Sequence, residues 1–299
     1  MLIKLSDLNK LLKADMPTKR LVLAVADDPH SLGAVIAAQE KNIIDAVLVG
    51  DQNKIEKVAY EHEISIKGTQ IIHEPDKLKG IRLSVSLVHN KQADILMKGN
   101  VKTPDLLRGV LNKEWGLRTG KLLSHFALFE VPTYHKLIAI TDVAMNISPN
   151  LNEKIGILEN SVSYLHKLQI ANPKVAVLGA IEVVDEKMSA TLDAALLSKM
   201  NQRDQIMGCI IDGPLAFDNA VSSESAKHKG IKSDVAGDCD ILLVPDIEVG
   251  NVLYKSLVFF SNAKVASVVL GASAPIVLTS RSDSEEAKFN SILLAAVGA

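Results

Sequence analysis

The sequence predicts an α/β protein with two doubly wound units, and three observations lead to this prediction. Short apolar runs rich in β-branched residues alternate with segments of helical periodicity, which is the pattern of βαβ units and a parallel-rich sheet. The 299 residues are 47% hydrophobic but only 4% aromatic, so Ala, Val, Leu and Ile must fill the core, as in parallel sheets. A chain of this length is long enough to form two domains.

The first predicted unit alternates strands and helices along its whole length. Its strands are predicted at 21–26, 46–49, 69–72, 94–97, 122–129 and 137–141. Its helices are predicted at 31–41, 54–61, 81–90 and 103–112. Ahead of them, residues 1–20 carry lysines among scattered leucines. This pattern predicts an amphipathic helix rather than a signal peptide, because no apolar segment follows a basic start.

Polar residues between Asp142 and Pro149 indicate a boundary, since they follow a strand and precede a long helix predicted at 151–168. The strands of the second unit are predicted at 175–178, 206–211, 241–244 and 265–270. Its further helices are predicted near 187–200 and 248–261. A last strand and helix, at 275–279 and 285–297, return to the first unit. We therefore expect one domain from residues 1–145 plus 277–299 and another from residues 146–276.

Composition and charge argue against several classes of protein. The formal net charge of −2 argues against general nucleic-acid binding. Cys209 and Cys239 lie in or beside apolar runs, which predicts buried thiols of a reduced, cytoplasmic protein rather than a disulfide or metal ligands. No apolar run approaches the roughly 20 residues that a membrane-spanning helix needs, so we expect no membrane partner.

The end of the strand at 275–279 carries the first candidate site, formed by Ser280, Arg281, Ser282, Asp283 and Ser284. Open α/β sheets bind ligands where strands end and helices begin. Arg281 offers a planar fork for an anion, the serines offer hydroxyl donors, and Asp283 is a candidate base. The Ser-Asp-Ser pattern is equally typical of an ordinary helix N-cap, so both interpretations stay open.

A second candidate site follows the strand at 94–97. Its residues are Lys98, Asn100, Lys102, Thr103 and, one turn into the next helix, Arg108. Free backbone N–H groups at a helix start favour phosphate, and Gly99 would let the backbone approach such a ligand. The alternative is a capped helix with solvated lysines. The sequence lacks a Walker A or G-x-G-x-x-G pattern, so a nucleoside triphosphatase and a Rossmann dehydrogenase are poorly supported.

Two further strand ends carry polar residues in the second unit. Asp212-Gly213-Pro214 is a turn signal, and Asp212 and Asp218 could position a ligand or serve as a turn residue and a helix cap. Asp246 precedes a helix start and is a candidate N-cap, with Asn251 one turn further on.

Together these segments resemble the phosphate acyltransferases, the family of phosphate acetyltransferase and phosphate butyryltransferase, and the butyryl branch most closely. The resemblance rests on MKGNVKT at 97–103, ITDVAMN at 140–146 with Pro149, DGPLAFD at 212–218, VPDIEVGN at 244–251 and Ser280-Arg281. It implies a fold like that of isocitrate and isopropylmalate dehydrogenases, with the active site in a cleft between two domains. It also implies the reaction of butyryl-CoA with inorganic phosphate to give butyryl phosphate and CoA. Coenzyme A is then a substrate, and no metal or tightly bound cofactor is implied.

The resemblance assigns roles to some of these residues. Ser280-Arg281 matches a pair that contacts the reacting groups, and Arg108 lies about one residue from the position of a phosphate-binding arginine. The aspartate thought to be the base of the acetyl branch would fall near Ala287, so Asp283 stands as a substitute. Asp142, Asp212 and Asn251 lie in matching segments and are further substrate-binding candidates. The family also implies a homo-oligomer, at least a dimer.

Three alternatives remain open. The first is a phosphate acetyltransferase. The second is a metal-dependent dehydrogenase of the same fold, which would need a hydride-cofactor site and a carboxylate cluster, for which Asp142, Asp212 and Asp218 are the candidates. The third is a regulatory module that binds phosphate or CoA without turnover.

Overall fold

In the computed structural model, the structure describes residues 2–12, 17–280 and 283–299. The strands are β1 (Lys19–Ala24), β2 (Ile44–Gly50), β3 (Gln70–His73), β4 (Ile95–Lys98), β5 (Ser124–Glu130), β6 (Ile138–Thr141), β7 (Lys174–Leu178), β8 (Ile210–Leu215), β9 (Ile241–Leu243), β10 (Lys264–Leu270) and β11 (Ile276–Val277). The helices are α1 (Pro29–Glu40), α2 (Gln52–Glu61), α3 (Lys77–His89), α4 (Thr103–Val110), α5 (Leu151–Lys167), α6 (Ser189–Gln202), α7 (Phe217–Val221), α8 (Ser223–His228), α9 (Ile247–Phe260) and α10 (Glu285–Gly298). The alternation of strands and helices confirms the predicted α/β class.

The chain forms two compact units. The terminal unit comprises Ser6–Lys121 and Ala266–Ala299, and the central unit comprises Met1–Leu5 and Leu122–Val265. These boundaries differ from those expected at 145/146 and 276/277. The segment 122–145 groups with the central unit because β5 pairs with β6, and β6 pairs in turn with β9.

In the terminal unit, five strands lie in the order β3-β2-β1-β4-β11 and run parallel. Strand β4 lies between β1 and β11, with Lys98 in register with Ala24 and Met97 in register with Val277. The carboxyl ends of β1, β4 and β11 therefore meet at one edge, where parallel sheets place their ligands. One pairing is antiparallel, between Val269 of β10 and Ile276 of β11.

In the central unit, the strands lie in the order β5-β6-β9-β7-β8, and only the β5–β6 pairing of these is antiparallel. The turn predicted at Asp212-Gly213-Pro214 is wrong, because β8 continues through these residues. The register between β7 and β8 shifts after Ala176, and a proline without an N–H is tolerated at such an irregularity. Gly213 is needed there because an added Cβ would stand 2.7 Å from the main-chain oxygen of Val177.

Some other predicted elements also differ from the structure. The N-terminal segment forms a short 3₁₀ helix, Leu5–Leu11, rather than the amphipathic helix predicted over residues 1–20. The short helices α7 and α8 had no periodic signal long enough to predict them. Along the part of the chain that the structure describes, no helix combines the length and apolar character that crossing a bilayer requires.

Candidate active site

At the carboxyl edge of the terminal unit, Lys98 ends β4 with only 6% of its surface exposed. Its ammonium donates to the main-chain oxygens of Gly99, at 3.3 Å, and Val101, at 3.5 Å. Gly99 is required for a reason other than the predicted one, because an added Cβ would collide with the main-chain oxygen of Val25. The glycine thus lets the loop after β4 pack against the end of β1. This packing holds a buried cation at the edge of the sheet.

On the other side of β4, the residues that follow β11 form a hydrogen-bonded loop. The Ser280 N–H donates to Oδ2 of Asp283 over 2.6 Å. The ammonium of Lys288, on α10, donates to the main-chain oxygens of Ser280 at 3.2 Å and Asp283 at 2.6 Å. Ser284 caps α10 by accepting from the Ala287 N–H, which confirms the N-cap interpretation for that serine.

The environment of Asp283 brings the two predicted sites together. Burial raises the pKa of the Asp283 carboxyl above its ordinary value, while the Ser280 N–H and the charges of Lys288 and Lys98 act in the opposite direction. Strand β4, which ends at Lys98, pairs with β11, which leads to Ser280 and Asp283. Lys98, Ser280 and Asp283 therefore lie at one edge of the sheet. Arg281 and Ser282, the remaining residues predicted here, lie outside the described residues.

Only some of the phosphate-binding residues predicted after β4 lie at this edge of the sheet. The Asn100 N–H donates to Val25 O over 2.8 Å, and Asn100 O accepts from Lys77, which fixes the loop. Lys102 occupies the N-cap position of α4 without a side-chain cap bond, and the half-buried Thr103 begins the helix.

Arg108 lies one turn further along α4 and faces solvent. Its guanidinium pairs with the Asp105 carboxylate at 2.9 Å, and 74% of its side chain is exposed. An ion pair so exposed is worth little, so it leaves the guanidinium available to another anion.

At the edge of the central unit, Asp142 is a fully buried structural carboxylate. Its Oδ1 accepts from the N–H groups of Ala144 and Met145, both at 2.9 Å. Its Oδ2 accepts from the Asn146 side chain at 2.6 Å and from the His125 N–H at 3.1 Å. Four protein donors thus occupy both oxygens, which orders the loop after β6.

His125 packs beside this carboxylate, with its ring edge-on to Tyr254 of α9. The side chain is buried, and within the part of the chain that the structure describes its Nδ1 has no hydrogen-bond partner. Burial lowers the pKa of His125 below its ordinary value, while the charge of Asp142 acts in the opposite direction. His125 is therefore a neutral ring at neutral pH.

The remaining predicted residues of the central unit belong to three elements, α9, β8 and α7. Asp246 caps α9 by accepting from the Val249 N–H at 2.9 Å, which confirms the predicted cap. Asn251 lies in the first turns of α9 and is half-buried. Asp212 is half-buried within β8 and accepts from the Gly213 N–H. Asp218 is exposed in the first turn of α7 rather than at its N-cap, which is Ala216.

The carboxylates proposed for a metal site do not converge. Strands β6 and β8 are three positions apart in the sheet, which separates Asp142 from Asp212 by about 14 Å at the usual strand spacing. Among residues 2–12, 17–280 and 283–299, no group of three or more His, Cys, Asp and Glu is arranged to hold a metal ion.

The sequence analysis missed three residues: Asp27, His125 and Lys288. Lys288 gave the clearest signal, because it is a lysine on a helix otherwise rich in Ala, Leu and Phe and is only 2% exposed.

Comparisons with known proteins identify the family of this chain. The family model described as phosphate acetyl/butaryl transferase matches residues 7–81 and 77–296. The phosphate butyryltransferase of Clostridium acetobutylicum is 50% identical over 279 residues, which is 93% of each chain. The phosphate acetyltransferase of Thermotoga maritima is 48% identical over 279 residues, 93% of this chain and 95% of its own.

Solved structures give the same result. A branched-chain phosphotransacylase from Enterococcus faecalis superposes with a TM-score of 0.84 at 35% identity, over 94% of this chain and 99% of its own. The 4-hydroxythreonine-4-phosphate dehydrogenase of Klebsiella pneumoniae has a TM-score of 0.58 at 12% identity, over 93% of this chain and 98% of its own, and shows the shared fold alone. The chain belongs to the phosphate acetyl/butaryl transferase family.

Proposed function

We propose that this protein transfers a short-chain acyl group between coenzyme A and inorganic phosphate, with butyryl-CoA as the preferred acyl donor. The observation that carries this proposal is the 50% identity to a phosphate butyryltransferase over 93% of both chains. The terminal unit supports it, because a buried lysine and the Ser280–Asp283 loop lie together where a phosphate and a carbonyl must be held. The substrates are CoA and phosphate, and the proposal includes no tightly bound cofactor.

The roles of the residues follow from the charges that the reaction moves. An oxygen of phosphate attacks the thioester carbonyl, and CoA leaves as the thiolate. Lys98, Arg281 and Arg108 are the proposed cations for phosphate, together with the N–H groups at the start of α4, near Lys102 and Thr103. The Ser280 hydroxyl is the proposed donor to the developing oxyanion, which requires a distance of about 3 Å.

Other predicted residues have supporting roles in this proposal. Asn100 shapes the loop after β4, and Asp142 orders the loop after β6, because its oxygens are already occupied by protein donors. Asp212 and Asn251 are proposed substrate contacts, since both side chains are only half-buried. Asp283 orients Ser280 through their hydrogen bond.

The decisive experiment follows the release of free thiol from butyryl-CoA when phosphate is added to the purified protein. We expect turnover that requires phosphate and is unaffected by chelators. An absence of thiol release would contradict acyl transfer, and loss of turnover on chelation would favour the metal-dependent alternative.

A phosphate acetyltransferase is the second candidate, because a protein of that name is 48% identical to this chain. Measuring kcat/KM for acetyl-CoA, butyryl-CoA and a branched-chain acyl-CoA under the same conditions decides between them. A larger value for acetyl-CoA than for butyryl-CoA would overturn the butyryl assignment.

We further propose a homodimer that pairs through α9. Within this helix only Gly250 is buried, while Val252, Phe259 and Phe260 are 65%, 73% and 91% exposed. An exposed helix face this apolar is expected to pack against another protein surface. Its exposed stripe also carries Glu248 and Lys255, two turns apart. If two copies of α9 pair antiparallel about a two-fold axis near Val252, Glu248 of each copy faces Lys255 of the other, so the face is complementary to itself.

A cytoplasmic location is also part of the proposal. Cys209 and Cys239 are unpaired and buried, as the sequence predicted. Burial raises the pKa of the Cys209 thiol to about 11 and that of Cys239 to about 12, so both are unreactive. A reduced compartment also keeps the thiol of CoA available.

A further inference from the structure

Asp27 lies at the same sheet edge as the candidate active site. The Gly99 N–H donates to Ala24 O at 2.9 Å and the Asn100 N–H donates to Val25 O at 2.8 Å, so the loop after β4 runs beside the chain that leads to Asp27. Because β1 and β11 flank β4, Asp27 and Ser280 lie on either side of Lys98. Two strand spacings, about 10 Å, separate their strands. That span is wide enough for a phosphate and the carbonyl that it attacks.

The helices beyond these strands also meet on this side. Helix α1 packs against α10. The Glu285 carboxylate lies over Gly33, where an added Cβ would stand 2.7 Å from Oε1. The first turns of α1, which follow Asp27, therefore lie next to the start of α10, which follows Asp283.

Two adjacent aspartates at this position have different environments. Oδ1 of Asp28 accepts from the Ser31 N–H at 2.8 Å and so caps α1. Oδ1 of Asp27 is buried, and across residues 2–12, 17–280 and 283–299 it accepts no hydrogen bond. Leaving a buried acceptor without a donor costs about 1–3 kcal/mol, so such an atom requires an explanation. A hydrogen-bond donor on a bound ligand would supply the missing partner, and sheet edges of this kind bind ligands.

Asp283 is less suited to accept that donor. Its Oδ2 already accepts the Ser280 N–H at 2.6 Å, and its main-chain oxygen accepts from Lys288. Moving Asp283 to a substrate would release the loop that places Ser280. Oδ1 of Asp27 has no such bond to lose among the described residues.

We propose that Asp27 is the catalytic base of the transfer between CoA and phosphate, an inference that rests on the proposed function. In the direction that consumes acyl phosphate, the Asp27 carboxylate takes the proton from the CoA thiol. The sulfur lone pair forms the new C–S bond, and the C–O bond to phosphate breaks with its electron pair going to the phosphate oxygen. The proton then passes from Asp27 to that oxygen, which regenerates the carboxylate.

The test compares Asp27→Asn with Asp28→Asn in the full chain, using butyryl phosphate and CoA between pH 6.5 and 9.5. Wild-type turnover is measured first, and its absence would count against the proposed function rather than against this assignment. At pH 7 we expect Asp27→Asn to lower kcat by at least about 10²-fold, which is the usual contribution of a general base. The thermal midpoint should stay the same or rise, because the variant replaces a half-buried carboxylate whose Oδ1 accepts no hydrogen bond from the described residues.

The pH profile separates a base from a structural residue. A thiol ionises near pH 8.5 without help, so turnover of Asp27→Asn should recover toward wild type by about tenfold per pH unit up to that value. Asp28→Asn should keep both turnover and stability at every pH, because Asn caps a helix as well as Asp. Asp27→Ala, measured in the same way, should show the same recovery. Wild-type turnover in either Asp27 variant, or a loss of equal size at all pH values in a folded variant, would overturn the proposal.

Discussion

The buried ammonium of Lys288 donates to the main-chain oxygen of Asp283 over 2.6 Å, and this contact ties α10 to the loop that carries Ser280. The same ammonium reaches Ser280 O at 3.2 Å. One cation thus holds two main-chain oxygens between β11 and α10. The position of the Ser280 hydroxyl therefore depends on a residue that does not itself contact substrate in the proposed mechanism.

We predict that Lys288→Met lowers kcat by about tenfold or more while the Michaelis constant for butyryl-CoA changes little. Methionine fills the same space but donates no hydrogen bond, so the loop loses its anchor at a cost to stability of about 2 kcal/mol. Steady-state kinetics and thermal unfolding measure the two effects. Lys57→Met, which alters an exposed lysine of α2, is the control and should change neither. Unchanged kcat in Lys288→Met would show that the loop is placed without this anchor.

Arg108 gives a prediction about phosphate. Arg108→Ala should raise the apparent Michaelis constant for phosphate several-fold more than that for acyl-CoA, because it removes a cation one turn into α4. Asp105→Asn is the matched control, since it frees the guanidinium from its 2.9 Å ion pair. We expect that variant to leave the phosphate constant unchanged or lower it. A change confined to the acyl-CoA constant would place the other substrate at α4.

The proposed dimer can be tested by reversing charges on α9. Lys255→Glu or Glu248→Lys alone would place like charges opposite each other across the two-fold axis, which costs stability of the pair. We expect the dimer of each single variant to dissociate at a higher protein concentration than the wild-type dimer, as measured by light scattering. The double variant Glu248→Lys with Lys255→Glu restores opposite charges and should recover the dimer. A monomeric wild type at micromolar concentration, or a double variant weaker than both single ones, would refute this arrangement.

His125 should make stability depend on pH. Burial holds its pKa in the folded protein below the ordinary 6.5. The unfolded chain therefore takes up a proton first as the pH falls. Stability from this residue is complete above about pH 6.5 and is lost below it, by at most about 1.4 kcal/mol per pH unit.

Denaturant unfolding of wild type and His125→Gln at pH 7.5 and 5.5 measures this contribution. The other titrating groups are the same in the two proteins, so their contributions cancel when the change in unfolding free energy of the variant is subtracted from that of wild type. We expect wild type to lose about 1 kcal/mol more than the variant over this interval. Equal losses would mean that His125 has the same pKa in the folded and unfolded states.

Local signals in the sequence predicted much of the fold and part of the site. The helix caps at Asp246 and Ser284 could be predicted because capping involves residues three positions apart. The continuation of β8 through Gly213 and Pro214 could not be predicted, because the local sequence preference of Asp-Gly-Pro is for a turn. Here the pairing with β7 overrides that preference, and the close approach to Val177 explains the glycine.

The sequence by itself determined the α/β alternation, since apolar strands and amphipathic helices are set by the period of hydrophobic residues along the chain. It also supplied the motifs that place this protein in its family. Only the tertiary structure decided which polar residues meet. Lys98 and Asp283 lie at one edge because β4 pairs with β11, and strand order depends on long-range pairing that no local pattern encodes. The same assembly gave Asp142 four protein donors and left Asp27 Oδ1 buried without a donor from the described part of the chain.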